Sequence, residues 1–396
     1  MAAELASGLA RRGLEVAVAS GLPHHPTGRV ADGHARLWRV ERRDGYRVLR
    51  LWHPTFESRR IAARAFVMAT QMFSTSLAAV AGGRPDVVLS FGGPPLVGPV
   101  LSGILASAWR VPLVTVIHDL YPDVAVESGA IRHPVLVGTA RWAERLQYRL
   151  SDHIVVLGET TRDLLIRYRQ VPGDRISVLP VWLDPDEIRP GPRDNSWRRE
   201  AGIGPERFVV LYSGTAGIVS GAGVIDQVSR SVDSDVDVVL VGGGSAWNEL
   251  EERRRTGALP ANVRLFPYQP RERLAEVQAA SDLSLLTLLP GRGRTSVPSK
   301  LQGYMAAGRP VLASVDDDCD SARLVRRGGF GLVVPPCDAG AIVEGIREAR
   351  LDPDRLAGWG RRAREVFERE NAREPIIDRY ETLVRGLARA STPPGG

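Results

Sequence analysis

Short β-branched runs alternate with helical stretches along this 396-residue chain, and no other feature limits its fold so strongly. Strands separated by helix-length segments cannot pair as hairpins, so they must lie parallel with helices layered on the sheet. In the first half strands are expected near Glu15–Ala19, Tyr46–Trp52, Asp86–Phe91, Pro112–His118, His153–Leu157 and Ile176–Leu179. In the second half they are expected near Phe208–Ser213, Val236–Val241, Val263–Phe266, Leu283–Thr287, Pro310–Ser314 and Gly331–Val334. The length exceeds what one core organises, so the expectation is two Rossmann-like domains. They are expected over residues 1–185 and 186–375, with a C-terminal helix and tail at 376–396. The segment Trp182–Ser196, rich in Pro, Asp and Arg, reads as the linker and hinge, and the final STPPGG as a disordered end.

The helix expected over Ala2–Arg12 runs directly into RRG and a strand. In a Rossmann-like domain such a helix follows a strand and a glycine-rich turn, and both are absent here. That strand normally lies mid-sheet, so its loss would leave buried edges unpaired, and the expectation is that the true reading frame begins upstream.

Composition narrows the setting. Two cysteines, Cys319 and Cys337, without a Cys-x-x-Cys or Cys/His cluster, exclude a disulfide-stapled module and fit a reducing cytoplasm. No apolar run reaches the ~20 residues of a spanning helix, and the first residues lack the layout of a signal peptide. The net charge of +6 is concentrated at the start: residues 1–84 hold 13 Arg against 6 Asp and Glu. The arginines lack aromatic platforms or a helix-turn-helix pattern, so nucleic acid is not the expected partner. An anionic membrane surface or a phosphate-bearing substrate explains the charge at least as well.

Lys300 is the only lysine, all the rest of the 52 Lys and Arg side chains being Arg. Its segment, PSKLQGYMAAGRPV, reads as a helix with Ser299 at its N-cap and Gly308 as its stop, then a strand. Free backbone N–H groups, the helix dipole and the compact ammonium would converge where a diphosphate could sit; an ordinary capped helix is the alternative. The loop Ser213–Gly217 and the glycines Gly242–Gly244 lie at the carboxyl ends of expected strands, where ligands of open α/β sheets collect, though either could be a plain turn.

The runs RRGLEVAVASGLPHHPTGR (Arg11–Arg29), HDLYPD (His118–Asp123), LVGGGS (Leu240–Ser245), PSKLQGYMAAGRPVLAS (Pro298–Ser314) and GFGLVVPPCD (Gly329–Asp338) resemble family 4 retaining glycosyltransferases of the GT-B fold. LPVWLD and PHHPTG are similar to the subgroup that assembles O-antigen, capsule and exopolysaccharide. The resemblance implies two Rossmann-like domains facing a cleft, the N-terminal one on the acceptor side and lacking its first strand, the C-terminal one holding the nucleotide sugar. It implies donor contacts from Gly214, Thr215, Ala216, Gly217, Gly242, Tyr268, Ser299, Lys300, Leu301 and Gly303, with Tyr268 bordering the nucleobase. His118 and Asp119 would face the transferred sugar and acceptor, His118 bonding a hydroxyl or handling the acceptor proton; a core histidine is the alternative. His24 and His25 rank lower, as acceptor contacts.

The chain departs from the family pattern where a pair of glutamates is usual. Thr295 and Gly303 stand at those positions, so the ribose lacks its carboxylate, and no Arg or Lys follows the SGT loop. Arg292 and Arg294 are therefore candidates for the diphosphate, alongside Lys300 and backbone donors. Asp316–Asp318 reads as a solvated turn, and no metal or other cofactor is expected. The stretch Arg59–Ala81, with Phe66, Phe73, Leu77 and Val80 at near-helical spacing, reads either as a helix on the sheet or as one lying on anionic lipid. The expected activity is transfer of a hexose or N-acetylhexosamine from a nucleotide diphosphate sugar, UDP-linked, to a lipid-linked glycan at the inner face of the membrane. A non-catalytic or decayed nucleotide-sugar-binding scaffold is the alternative, and a GT-B epimerase a third.

Overall fold

The computed structural model describes all residues except 24–29, 31–36, 56–60, 92–94, 128–130, 218–219, 295–297 and 392–396. Contacts divide the chain into two units, one of residues 1–157, 162–179 and 377 onward, the other of residues 158–161 and 180–376. His24, His25, Thr295 and all but the first residue of the terminal STPPGG lie outside the described residues.

The first unit holds strands β1 (Ala17–Ala19), β2 (Trp38–Arg43), β3 (Tyr46–Leu51), β4 (Val88–Phe91), β5 (Leu113–Ile117), β6 (His153–Val156) and β7 (Ile176–Val178). They form two sheets, one ordered β1-β3-β2 and one, all parallel, ordered β4-β5-β6-β7. Helices α1 (Ala2–Arg11), α2 (Ile61–Ala81), α3 (Val97–Trp109), α4 (Asp123–Glu127) and α5 (Pro134–Leu150) belong to this unit. The core strand β5 is buried along its whole length, as its run of Leu, Val, Thr and Ile demands. On α1, Leu5, Ala6 and Leu9 are buried, and Ala6 packs with Tyr46 and Val48 of β3.

Strand β2 is absent from the sequence expectation. Its residues, WRVERR, are too charged to read as a core strand, but β2 pairs antiparallel with β3 and its side chains alternate outward. The turn between them is Asp44-Gly45, both with positive φ, the two-residue hairpin that an Asp-Gly pair favours.

The second unit is built on six parallel strands: β8 (Phe208–Thr215), β9 (Val236–Gly243), β10 (Val263–Pro267), β11 (Leu283–Thr287), β12 (Val311–Ser314) and β13 (Gly331–Val334). Their order is β10-β9-β8-β11-β12-β13, so the chain reverses its direction of travel at β8 and β11. Separate apolar clusters cover the sheet, one around Val238, Leu240 and Ile342, another around Tyr304, Met305 and Phe367. The segment expected to be a hinge is instead built into this unit: Trp182 is buried and Leu183 exchanges backbone bonds with Asn371 and Arg373. An indole of that size, once buried, anchors the proline-rich run that follows it.

Candidate functional site

In the second unit the carboxyl ends of β8 and β9 are laced together. Gly214 and Thr215 pair with Gly242 and Gly243, Ala216 N–H donates to Gly243 O at 2.7 Å, and Ala246 N–H donates to Ala216 O at 3.0 Å. The approach is too close for a side chain. A Cβ on Gly242, whose φ is 151°, would lie 2.1 Å from Gly214 O, and one on Gly244, at φ 119°, would lie 2.6 Å from Ala216 O. The two glycine loops therefore form one rigid shelf, and Gly217 continues it, its carbonyl accepting from Ser220 Oγ. Tyr268 lies against this shelf: its hydroxyl bonds Thr215 Oγ1 at 2.8 Å, and its largely exposed ring faces Gly243.

Lys300 comes to the same shelf from the first residue of the helix Lys300–Ala306. Its Nζ lies 4.2 Å from the centre of the Tyr212 ring, donates to the Tyr212 hydroxyl, and lies 3.4 Å from the carbonyl of Thr215. A Cβ on Gly214 would touch its Cε at 3.6 Å. None of these partners is anionic, so nothing offsets the loss of water around the ammonium, and burial lowers its pKa to about 8. Tyr304, one turn on, is wholly buried and accepts from Ser213 N–H at 2.9 Å, which ties the helix to the β8 loop. Tyr212 and Tyr304 escape the sequence reading because they look like core residues; only their placement on β8 and one turn after Lys300 marks them.

Several expected donor residues take other parts. Ser299 precedes the helix but has helical φ and ψ and makes no capping bond with its side chain. Leu301 is buried in the core, and its N–H donates to Pro298 O, leaving it a packing role. Arg294 is paired with Asp318 at 2.8 Å, so its charge is already engaged. Arg292 follows the turn at Gly291, whose N–H, with that of Gly293, donates to Asp316. Asp317 pairs with Arg326, so each carboxylate of the Asp316–Asp318 run has its own partner. Gly303 is buried, and a Cβ there would find Gln278 Nε2 at 3.6 Å and Ile188 Cδ1 at 3.8 Å, ordinary contacts that leave room for a side chain to start.

In the first unit His118 and Asp119 stand at the carboxyl end of β5. The imidazole packs edge-on to Phe91, with ring centres 5.1 Å apart, and its buried Nε2 has no hydrogen-bond partner among the described residues. Burial lowers its pKa against the opposing pull of Asp119, so it is neutral near pH 7; burial likewise raises the carboxyl of Asp119. Both residues line a cavity of 160 Å³ with Leu96, Tyr121, Gln147 and Tyr148. Gln147 is buried, an amide that nothing in the sequence singles out. Beneath it Tyr148 donates to the buried Glu144, which pairs with Arg169 at 2.7 Å, and Arg169 and Arg141 both pair with Asp123. Asp123, the end of the HDLYPD run, is thus a structural anchor for α4 and α5.

Two Rossmann-like units, with a shelf of glycines and one cation at the strand ends of the second and a His-Asp pair at a strand end of the first, have the architecture of the GT-B glycosyltransferases. The chain belongs to the family 4 glycosyltransferases: residues 1–182 match the Glycosyl transferase 4-like domain and residues 194–366 match Glycosyl transferases group 1. It is 26% identical to the probable glycosyltransferase WbjE of Pseudomonas aeruginosa, covering 84% of this chain and 83% of that one. It is 22% identical to the putative colanic acid biosynthesis glycosyl transferase WcaI of Escherichia coli K12, over 97% and 95% of the two chains. Among solved structures it resembles sucrose-phosphate synthase from Thermosynechococcus elongatus, with a TM-score of 0.72 at 18% identity over 98% and 92% of the chains. It also resembles Anabaena HepE in complex with UDP, with a TM-score of 0.65 at 16% identity over 80% and 84%.

Proposed function

We propose that this glycosyltransferase moves a hexose or N-acetylhexosamine, with retention, from a UDP-linked donor to a lipid-linked glycan in cell-surface polysaccharide synthesis. The observation that carries the donor side is Lys300, a desolvated ammonium on a glycine shelf, without an anionic partner among the described residues. A diphosphate supplies that anion, and it gains most where water is already excluded. HepE, solved with UDP, and the colanic acid relative support the choice of nucleotide and pathway class. Tyr268 offers an exposed ring for the base. Retention without a carboxylate nucleophile fits front-face displacement, in which Lys300 and the shelf N–H groups stabilise the leaving diphosphate while it takes the acceptor proton, with no metal required. On the acceptor side, neutral His118 would accept from or donate to a sugar hydroxyl through Nε2 in the cavity it shares with Gln147.

The membrane part of the reading rests on α2. Phe66, Phe73, Leu77 and Val80 all face solvent, while Val67, Met72 and Ala78 are turned inward. The neighbouring α3 and α5 expose Ile104 and Trp142. Among the described residues no helix is long and apolar enough to cross a membrane. An apolar helix layer beside an arginine-rich segment fits an anionic lipid surface and, through it, a lipid-linked acceptor. The deciding experiment pairs calorimetry of UDP against GDP with transfer from labelled UDP-sugars to polyprenyl-linked glycans in anionic liposomes. Binding of UDP followed by label in the lipid phase is expected. UDP binding without transfer would favour the scaffold alternative, and preference for GDP would refute the donor assignment.

A further inference from the structure

Strand β2 ends the sheet ordered β1-β3-β2, and among the described residues no strand pairs with its outer edge. Its six residues are WRVERR, and Trp38 and Val40 are exposed, as is Leu37 just before them. A charged edge ordinarily resists pairing, but apolar side chains set between the charges gain from being covered.

The alternation of backbone bonds fixes which groups point outward. Trp52 N–H donates to Leu37 O, and the turn Asp44-Gly45 closes the hairpin between Arg43 and Tyr46. In an antiparallel pair every second residue faces its neighbour, so residues 37, 39, 41 and 43 bond to β3. The N–H and C=O groups of Trp38, Val40 and Arg42 therefore face outward. By the same alternation the side chains of Trp38, Val40 and Arg42 share one face of the sheet, and those of Arg39 and Glu41 share the other. Arg39 Nε pairs with Glu41 in the same strand at 2.9 Å, and Arg50 of β3 approaches that carboxylate at 3.5 Å.

Only outward-facing backbone can bond across an edge, so a second copy can meet β2 antiparallel in few registers. Those that pair most of the strand are centred on Arg39, Val40 or Glu41. Centred on Arg39, two identical strands set Arg39 against Arg39. Centred on Glu41, they set Glu41 against Glu41 and Arg39 against Arg43. Centred on Val40, they bond Val40 to Val40 and Trp38 to Arg42, and Arg39 falls opposite Glu41 twice by symmetry. Those two ionic pairs are of the non-hydrogen-bonded type, in which facing side chains lie closest. On the other face the guanidinium of Arg42 comes beside the indole of Trp38.

We propose that β2 is a dimerisation edge, on which two copies of this chain pair antiparallel about a two-fold axis through Val40. The joined sheet reads β1-β3-β2-β2-β3-β1. The same edge is used by both copies, so the assembly closes at two. The R-V-E spacing turns a charge pattern that blocks the neighbouring registers into a match in this one. Six residues a side bury less than the roughly 1,600 Å² of a standard interface, so the association is weak and reversible.

Sedimentation velocity of the full chain across roughly 1 to 100 µM, without substrate, reads the assembly independently of sugar transfer. The parent is expected to pass from one copy to two as concentration rises, and to go no further. Arg39→Glu sets carboxylate against carboxylate at both ends of the pairing, and Glu41→Arg sets guanidinium against guanidinium. Each alone should raise the concentration needed for dimers about tenfold or more, because each change acts twice across the axis. Mixed one to one, the two variants face each other with opposite charges at both ends, and dimers should return at the parent's concentration, which damaged folding would not allow. Val40→Pro removes an outward N–H and no bond to β3, so it should give monomers with the melting temperature kept. The proposal is overturned by a parent that stays monomeric throughout, as it would if lipid or a different protein met this edge. It is overturned equally by single variants or a Val40→Pro chain that dimerise as the parent does, or by a mixture that stays monomeric.

Discussion

Removing the ammonium of Lys300 should change UDP binding and its pH dependence together. The pKa of about 8 follows from burial, and the surroundings of the group are a tyrosine ring, a hydroxyl and a carbonyl. A bound diphosphate raises that pKa, so binding takes up a proton whenever the free protein has lost it. Between about 8 and the higher value in the complex, UDP affinity should fall with rising pH, approaching about tenfold per unit. Below pH 8 the dependence from this group flattens. Lys300→Ala should lose ~1.5 to 3 kcal/mol of UDP affinity at pH 7, roughly ten- to a hundredfold, and should lose the alkaline slope with it. Folding carries the opposite signature. The folded pKa lies below the unfolded value of roughly 10.4, so the unfolded chain binds more protons between the two and stability contributed by this residue rises with pH there. Lys300→Ala should abolish that rise without lowering the melting temperature at pH 7. Calorimetry of UDP from pH 6.5 to 9.5, with thermal melts across the same range, reads both. A parent whose UDP affinity is flat across pH 7 to 9.5 would refute the assignment of the site to this lysine.

Arg294→Ala should leave UDP affinity within about twofold, because its guanidinium is engaged by Asp318; a loss of tenfold in the same titration would return Arg294 to the donor site. His118→Ala should reduce turnover while UDP binding is kept, and in the parent turnover should decline as pH falls through a His118 pKa below the ordinary ~6.5, which a pH profile of kcat would show. Because folding opposes that proton, stability from this histidine should also decrease as pH falls in the same window. Phe73→Glu with Leu77→Glu should abolish sedimentation with anionic liposomes and leave the melting temperature unchanged, both side chains being exposed; unchanged sedimentation would place the lipid surface elsewhere. Gly303→Glu should tighten UDP binding roughly ten- to a hundredfold, since the Cβ is tolerated and a helix interior favours Glu over Gly, and equal affinity in a folded variant would mean that ribose is held by another route.

The strands were legible because their apolar runs are buried on both faces, and parallel strands announce themselves by continuous hydrophobicity. The exception, β2, has the alternating, charged pattern of an edge, and its signal was the Asp-Gly turn rather than its composition. The shelf was legible in part, since glycines at strand ends mark places where backbone approaches backbone. What completes it was not: Tyr212 and Tyr304 act through hydroxyls at the rim of the core, and a buried tyrosine in a sequence looks the same whether its hydroxyl has work or not. Arg292 and Arg294 were indistinguishable in sequence from donor arginines, and only the position of Asp318 across the turn decides where the charge of Arg294 goes. The stripe of α2 was read as a face, but which way that face turns depends on tertiary packing, and it turns outward.

A lone lysine in a chain that otherwise uses arginine gains a physical meaning from its surroundings. A guanidinium keeps its proton under any pH a protein meets and spreads five donors over a rigid plane, more than the ring of Tyr212 and the carbonyl of Thr215 could satisfy. An ammonium is small enough to sit between them, and its charge can be lost when burial disfavours it. The glycine shelf is the other half of this arrangement, because a Cβ at Gly242 or Gly244 would push apart the loops that set the shelf against the helix bearing Lys300. Rigid backbone with few cations favours a ligand that brings its own dense charge and leaves with more of it, as a diphosphate does when the sugar bond breaks. The same desolvation that disfavours the ammonium by itself then strengthens its attraction to the leaving group.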